Sequence, residues 1–396
     1  MTQLASSVWI AIQVIIGYNL IFPIILLLIS AVTSKKKRKF LPTETEPDYA
    51  IIVTAYLYTD NLHTVVSSIS KLKYSNYLIY IVADNCDVAG LTFDNDKVVL
   101  LRPEPVLASN TRSHFHAINN FKRKHDRLTI IDSDNIVDPD YLNRLNEAFS
   151  EGFSAVQGIR DAKNLDTTYS RLDAARDIYY HFYDGKLLFQ SGSSATLAGS
   201  GMAFTVELYK ECLEKKDITG AGFDKILQSE IVKRNRRIAF APDAIVYDEK
   251  TSRPDQLVNQ RARWINTWFK YFKFGFTLIA KGIGNFSWNQ FLFGFVLLRP
   301  PLFIFLLLSL AMMAVNIFIN PIAAAVWLAG FISFIVGFII ALKKSDTDPR
   351  IYSSLVGIPK FIFFQLISLA NIFRANKRSV ATKHYHTELT AEEQTN

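Results

Sequence analysis

Cysteine is nearly absent from this sequence. Cys86 and Cys212 are the only two in 396 residues, so neither a disulfide framework nor a cysteine-rich zinc site can be built from it. Charge is missing from two long stretches: no Asp, Glu, Lys or Arg occurs from Met1 to Ser34, and none lies between Arg299 and Lys343. Each stretch exceeds the ~20 residues that carry a helix across the hydrocarbon layer of a bilayer. Histidine is scarce as well. The two His-X-His pairs, His114 with His116 and His384 with His386, have no further ligands beside them and read as surface residues rather than a metal site. Because no ionisable group falls inside the run Pro300 to Leu342, a transporter, whose pathway needs such groups, is disfavoured.

What is present divides the chain into an apolar beginning, a mixed middle and an apolar end. Residues 1–34 read as a transmembrane anchor rather than a cleaved signal, since they lack a positive leader and their apolar core is too long. The cluster Lys35, Lys36, Lys37, Arg38 and Lys39 marks the cytoplasmic side. Residues 286–344 read as a transmembrane hairpin turning at Asn320-Pro321, with Lys281, Arg299, Lys343 and Lys344 keeping both open ends in the cytoplasm. Residues 345–396 hold a stretch, Ser353 to Phe373, interrupted by Lys360, Gln365 and Asn371, that reads as lying in the interface, followed by a polar tail. The expected setting is an integral membrane protein of a bacterial inner membrane with a cytoplasmic domain at 35–285. The formal net charge of +8 sits beside the membrane segments, so lipid headgroups rather than nucleic acid account for it.

The middle reads as α/β. Short β-branched runs at Ala50–Thr54, Leu78–Val82, Lys97–Leu101, Leu128–Ile131 and Ile238–Val246 alternate with helical patterns at Leu62–Lys71 and Ser113–Lys122. This predicts a mostly parallel sheet covered on both faces, with ligands beyond the carboxyl ends of its strands. Those ends are acidic. One strand stops at Asp84-Asn85-Cys86-Asp87 and another at Asp132-Ser133-Asp134-Asn135, where alternation sends Asp132 and Asp134 to one side. Two such carboxylates suit Mg2+ or Mn2+ shared with a diphosphate; capping of the following helix is the plainer reading.

Two later motifs add chemistry. Asp224, in Gly220-Ala221-Gly222-Phe223-Asp224, opens a helix expected from Lys225 to Arg234, as a cap or as a general base for a hydroxyl. Gln260-Arg261-Ala262-Arg263-Trp264 lies in a helical segment, near 253–275, that suits the bilayer surface. Its guanidinium can also stabilise a departing diphosphate, and its tryptophan can face a sugar ring.

In order and spacing, Asp84, Asp132-Ser133-Asp134, Asp224 and Gln260-X-X-Arg263-Trp264 resemble the signature of the family-2 glycosyltransferases. That group includes cellulose, chitin, hyaluronan and poly-N-acetylglucosamine synthases and ceramide glucosyltransferase. The resemblance implies a nucleotide-diphospho-sugar transferase (GT-A-like) fold and an inverting transfer from a UDP-sugar. It implies that Thr54-Ala55-Tyr56 and Asp84 meet the nucleotide, that Asp132 and Asp134 serve ribose, diphosphate and metal, and that Asp224 is the base. Gln260 and Arg263 would meet the diphosphate, Trp264 the acceptor, and Gly199-Ser200-Gly201 the acceptor side. Arg112 stands where relatives tend to carry a donor-side lysine, and a surface arginine is the equal alternative. Two departures stand out: Leu57 and Tyr58 replace Asn-Glu, and Phe223 replaces the glutamate before the base. The expected product is a β-linked polysaccharide, with a homo-oligomer as the way for three spans to enclose a conduit. A single transfer to a lipid, or a non-catalytic UDP-sugar sensor, are the alternatives.

Overall fold

The computed structural model describes residues 3–33 and 46–370. The Lys35 to Lys39 cluster and the pair His384 and His386 lie outside these. In chain order the elements are α1 (Gln3–Thr33), β1 (Tyr49–Tyr56), α2 (Leu62–Ser70), β2 (Tyr77–Asp84), β3 (Val98–Leu101), α3 (Asn110–Asn119), β4 (Arg127–Asp132), β5 (Ile136–Val137) and α4 (Tyr141–Ser150). Then come β6 (Ala155–Ala162), α5 (Thr168–Tyr180), a π-helical segment His181–Leu187, α6 (Leu188–Gln190), β7 (Met202–Thr205), α7 (Val206–Leu213), α8 (Phe223–Lys233) and β8 (Ala239–Asp248). The last third is helical: α9 (Pro254–Tyr271), α10 (Phe274–Gly284), α11 (Trp288–Leu298), α12 (Leu302–Ile319), α13 (Pro321–Lys343), α14 (Pro349–Ser354) and α15 (Ile358–Ala370).

The eight strands form one sheet in the order β3-β2-β1-β4-β7-β6-β8-β5. β1, β2, β3 and β4 are parallel, as the alternation of strand and helix predicts, and β6 is parallel to β8. β7 runs antiparallel between β4 and β6. This reversal was not expected; β7 has only four residues, and β6 carries Gln157, Gly158 and Arg160, which break an apolar run. β8 is irregular at Pro242-Asp243: Gln157 pairs with Phe240 and Ile159 with Ile245, so the four β8 residues 241–244 stand against one residue of β6. The inward side chains Ile51, Val53, Ile79, Ile81 and Ile131 are fully buried under α2 and α4. Each such side chain contributes ~1.5–3 kcal/mol by leaving water.

Helix starts follow local chemistry. Ser109 accepts the Arg112 amide at the head of α3, Thr167 and Ser170 form a reciprocal capping box on α5, and Pro254 occupies the first turn of α9. The helix expected from Ser113 begins at Asn110 for that reason.

Four helical stretches are long and apolar enough to cross a membrane: Gln3–Thr33, Leu302–Ile319, Pro321–Lys343 and Pro349–Ala370. α1, α12 and α13 pack on one another around Gln13, whose side-chain oxygen takes hydrogen bonds from Asn316 (2.7 Å) and Trp327 (3.0 Å). Small residues let these helices close up; a Cβ on Gly330 would stand 3.1 Å from Leu20. The expected hairpin over 286–344 is shorter than drawn. Its first part, α11, folds back on α10 instead, and Gln290 and Asn289 bond carbonyls at the end of α8, so 288–298 packs on the globular domain. The last stretch breaks at Leu355–Gly357, and α15 then packs along α9 rather than into the three-helix seam.

His114 is a core residue, which corrects its reading as a surface histidine. It is fully buried on α3, with Nδ1 2.7 Å from the Tyr209 hydroxyl and Phe223 against its ring. Burial lowers its pKa to about 3. The unfolded chain binds this proton near pH 6.5 and the fold refuses it, so stability falls as pH drops below 6.5, by about 1.4 kcal/mol per unit for this group. His114→Gln is expected to flatten the fall in unfolding temperature between pH 6.5 and 4.5, measured beside the parent chain; equal slopes would remove His114 from the acid response.

Candidate active site

Parallel pairing brings the acidic ends to one edge. Thr54 is in register with Asp132 and Tyr56 with Asp84, so the ends of β1, β2 and β4 are level by construction. Beyond that edge lies a hollow of about 790 Å³. Its wall includes Thr54, Ala55, Tyr56, Asp84, Asp132, Asp134, Gly199, Asp224, Gln260, Arg263 and Trp264. The chain thus gathers at one place residues that are up to 210 positions apart, Thr54 to Trp264.

Each arrives by a local device. Asp84 is 2% exposed, and its two oxygens accept the amides of Leu107 (2.9 Å) and Ala108 (2.7 Å). It therefore shapes the loop leading to α3 as well as facing the hollow. The Asp132-Ser133-Asp134 turn is pinned from behind. The Asp132 amide donates to Ser200 Oγ at 3.1 Å, Ser200 donates to Asn135 Oδ1 at 2.5 Å, and Asn135 donates to Asp134 Oδ1 at 3.2 Å. Ser200 and Gly201 thus sit behind the metal-type carboxylates and do not line the hollow; only Gly199 of that triplet does. Lys163, wholly buried, donates to the Asp134 carbonyl at 2.8 Å.

Asp224 lies in the first turn of α8, where helix-end amides favour a negative group. Lys225 Nζ is 3.1 Å from its carboxylate. The glycine before the helix, Gly222, has φ 99°, and a Cβ there would come within 2.6 Å of Tyr271 and 2.7 Å of Thr267. That contact seats the start of α8 against α9 and needs glycine. On α9, Gln260, Arg263, Trp264, Thr267, Trp268 and Tyr271 follow helical spacing along the wall. Burial lowers the Arg263 pKa and the nearby Asp132 carboxylate works against that, leaving it a cation. Gln260 accepts from Thr251 at 3.0 Å. Arg112 is not brought in: it is exposed and paired in two-pronged fashion with Asp217 at 2.7 and 2.8 Å.

The floor of the hollow was missed in the sequence. Arg160, Arg176, Asp177, His181, Asp184 and Asp248 line it; Arg160, Arg176, Asp177 and Asp248 belong to a buried ion network, and Asp184 pairs with Arg299. Arg160 pairs with Asp248, Lys250 with Asp248 and with Asp177 (2.9 Å), Arg176 with Asp177 and with Asp173 (3.2 Å), and Arg261 with Asp173. Arg176 and Arg261 both lie over the Trp264 ring, at 4.3 and 4.2 Å, so this indole is already in contact with two guanidinium groups. Burial would raise Asp177, yet Arg176 and Lys250 outweigh it and hold the carboxyl low. Burial would lower Arg160, yet Asp248, Asp132, Asp177 and Asp134 outweigh it and raise it. His181 is pushed down to about 4 by burial and is neutral at pH 7. The only sequence signal for this floor was the spacing of Asp173, Arg176 and Asp177, three charges on one face of a helix at i, i+3 and i+4.

Among the described residues no group of three or more His, Cys, Asp or Glu is placed to hold a metal. Asp132 and Asp134 as a pair, with diphosphate oxygens and water completing the shell, fit a hard divalent ion that takes few protein carboxylates.

The family described as "Glycosyltransferase like family 2" matches residues 47–267, more than half of the chain. The chain belongs to this family. Its structure is similar to that of the mannosyltransferase PcManGT from Pyrobaculum calidifontis, solved in complex with GDP-Man and Mn2+. The TM-score is 0.56 at 14% identity, covering 93% of this chain and 98% of that one. This likeness is one of fold, the GT-A-like mixed sheet. No curated protein matches the sequence. The chain is a glycosyltransferase, and the matched span runs from just before β1, which carries Thr54, into α9, past Trp264.

Opening the ion network is expected to be costly, because the partner left behind stays buried and charged: about 3–5 kcal/mol for a broken pair. Arg261→Met should lower the unfolding temperature far more than Arg112→Met, whose partner is exposed. Equal losses in thermal unfolding would show that the network carries no special load.

Proposed function

We propose that this glycosyltransferase moves a sugar from a nucleotide sugar, a UDP-sugar in the reading from the signature, to an acceptor hydroxyl, with inversion at the anomeric carbon. The single observation that carries the proposal is the common hollow: Asp84, Asp132, Asp134, Asp224, Arg263 and Trp264 line one volume beyond one sheet edge.

Asp224 takes the proton of the acceptor hydroxyl as its oxygen attacks, so negative charge does not accumulate on that oxygen. Phe223, buried beside it, spares it the like-charge neighbour found in relatives. Arg263 faces the leaving diphosphate and offsets the charge that grows there, where a preoriented cation in a shielded site is worth most. Thr54, Ala55 and Tyr56 hold the nucleotide end beside the loop that Asp84 shapes. A divalent ion held by Asp132 and Asp134 would supply Lewis acidity at the diphosphate. The nucleobase pocket departs from the family pattern at Leu57 and Tyr58, and the similar PcManGT was solved with GDP-Man, so guanosine donors belong beside uridine donors in any test. The spans and the lysines at the end of α13 support an integral membrane protein with its catalytic domain in the cytoplasm. Close packing of α1 on α13 at Leu20 and Gly330 and the Gln13–Asn316 bond between α1 and α12 support transfer at the membrane over secretion through this bundle.

Incubating the purified chain with Mn2+ and a panel of UDP- and GDP-sugars should release the nucleoside diphosphate, UDP or GDP, from one of them. With that donor, Asp224→Asn is expected to slow transfer by about 10²–10⁴-fold, the usual worth of general base catalysis, while donor affinity holds. Arg263→Ala should cost about 10²–10³-fold in kcat. Donor binding without consumption, in the parent chain, would point to a sensor instead.

A further inference from the structure

Three consecutive residues at the start of α8 go three ways, as a helix that turns about 100° per residue requires. Phe223 enters the core, its ring centroid 5.1 Å from that of His114. Asp224 and Lys225 both line the hollow. The Lys225 ammonium serves two acceptors there, Asp224 Oδ2 and the Leu197 carbonyl, each at 3.1 Å.

Leu197 belongs to the loop that leads to Gly199, and α8 holds both of its backbone polar groups. Lys225 takes the carbonyl, and Gln228 Oε1, one turn further along α8, accepts the amide at 2.9 Å. The next residue, Ala198, is held from the sheet: its amide donates to Gln157 Oε1 at 2.9 Å, and its carbonyl accepts from Arg160 at 2.6 Å. The loop is therefore fixed from two sides. Asp224 is tied to it through a single ammonium.

That tie uses one carboxylate oxygen. Lys225 sits on Oδ2, and among the described residues Oδ1 accepts no hydrogen bond. An aspartate side chain turns about two single bonds, and a base works only within hydrogen-bond reach of the proton it takes. Phe223 is apolar and gives the carboxylate no hold from the preceding residue. The hold comes from the residue after it.

We infer that Lys225 is a positioning residue for the transfer: it fixes the Asp224 carboxylate to the Leu197–Gly199 loop through Oδ2 and leaves Oδ1 for the proton of the acceptor hydroxyl. The inference rests on the reading of Asp224 as the base. In this role Lys225 touches neither the reacting hydroxyl nor the diphosphate, so its loss acts on turnover and spares donor binding. A lysine that served the diphosphate directly would act the other way.

The full chain in native-membrane nanodiscs, with Mn2+ and the UDP- or GDP-sugar that it consumes, tests this through two readings: release of the nucleoside diphosphate, and affinity for UDP or GDP alone. Lys225→Met is expected to lower kcat by about 10- to 100-fold, the scale of a small misplacement of a reacting group. Its affinity for UDP or GDP should match the parent's, which also shows that the variant is folded. Lys225→Arg can reach the same two acceptors and should restore most of the turnover. Added to Asp224→Asn, Lys225→Met should cost nothing further, because the carboxylate it orients is already gone. An unchanged kcat, a weakened nucleotide affinity, or losses that multiply in the double variant would each overturn the role of Lys225 and leave Asp224 as the base. A parent chain that binds UDP or GDP but consumes no nucleotide sugar removes the base, and Lys225 with it.

Discussion

The ion network beneath the hollow is the constraint on which the rest of the structure depends. Seven charged side chains, Arg160, Asp173, Arg176, Asp177, Asp248, Lys250 and Arg261, come from β6, α5, the end of β8 and α9. Isolated, each would be expelled by its desolvation cost; together they neutralise one another only in one arrangement of those four elements. That arrangement sets α9 across the ends of the strands, and Gln260, Arg263 and Trp264 follow from it. A second buried pair, Arg299 with Asp184 at 2.8 Å, does the same between the α11–α12 turn and the π-helical segment, with Arg299 also on Tyr179 and over Phe22 of α1. The membrane-type helices are thereby held to the catalytic domain by charge as well as by packing.

A π-helical segment at this junction is consistent with its position. Such segments spend hydrogen-bond quality to turn side chains that an α-helix would point elsewhere. Here His181 and Asp184 reach the hollow while Tyr183 reaches back to the Gly337 carbonyl of α13 at 2.7 Å. One segment therefore touches both the site and a spanning helix. The hollow inherits this double allegiance: carboxylates and guanidinium groups at the sheet, aromatic and aliphatic walls toward the spans.

Much of the site was legible because its residues end elements. Asp84 and Asp132 stop apolar strands, Asp224 opens a helix after glycines, and Arg263 sits inside a tight aromatic-basic motif; each breaks a pattern that can be counted along the chain. The floor was not legible, because Arg160 lies in a strand with no clean alternation and Asp248 ends a strand already interrupted by Pro242. Ser200, placed with the acceptor side by resemblance, turns inward to hold the Asp132 turn, and Arg112 turns outward to Asp217. Neither direction has a local cause; both depend on which distant segment arrives beside them.

By itself the sequence determined the division into apolar ends and an α/β middle, the acidic strand ends and the order of the motifs, since hydropathy, alternation and breaks are properties of neighbours in the chain. Only the tertiary structure decided the antiparallel β7, the return of α11 onto the globular domain, the burial of His114 and the charged floor. Those depend on burial and on pairing between segments distant in the chain, and the cost of leaving a charge or an amide unpaired in a low-dielectric interior is known only once its surroundings exist.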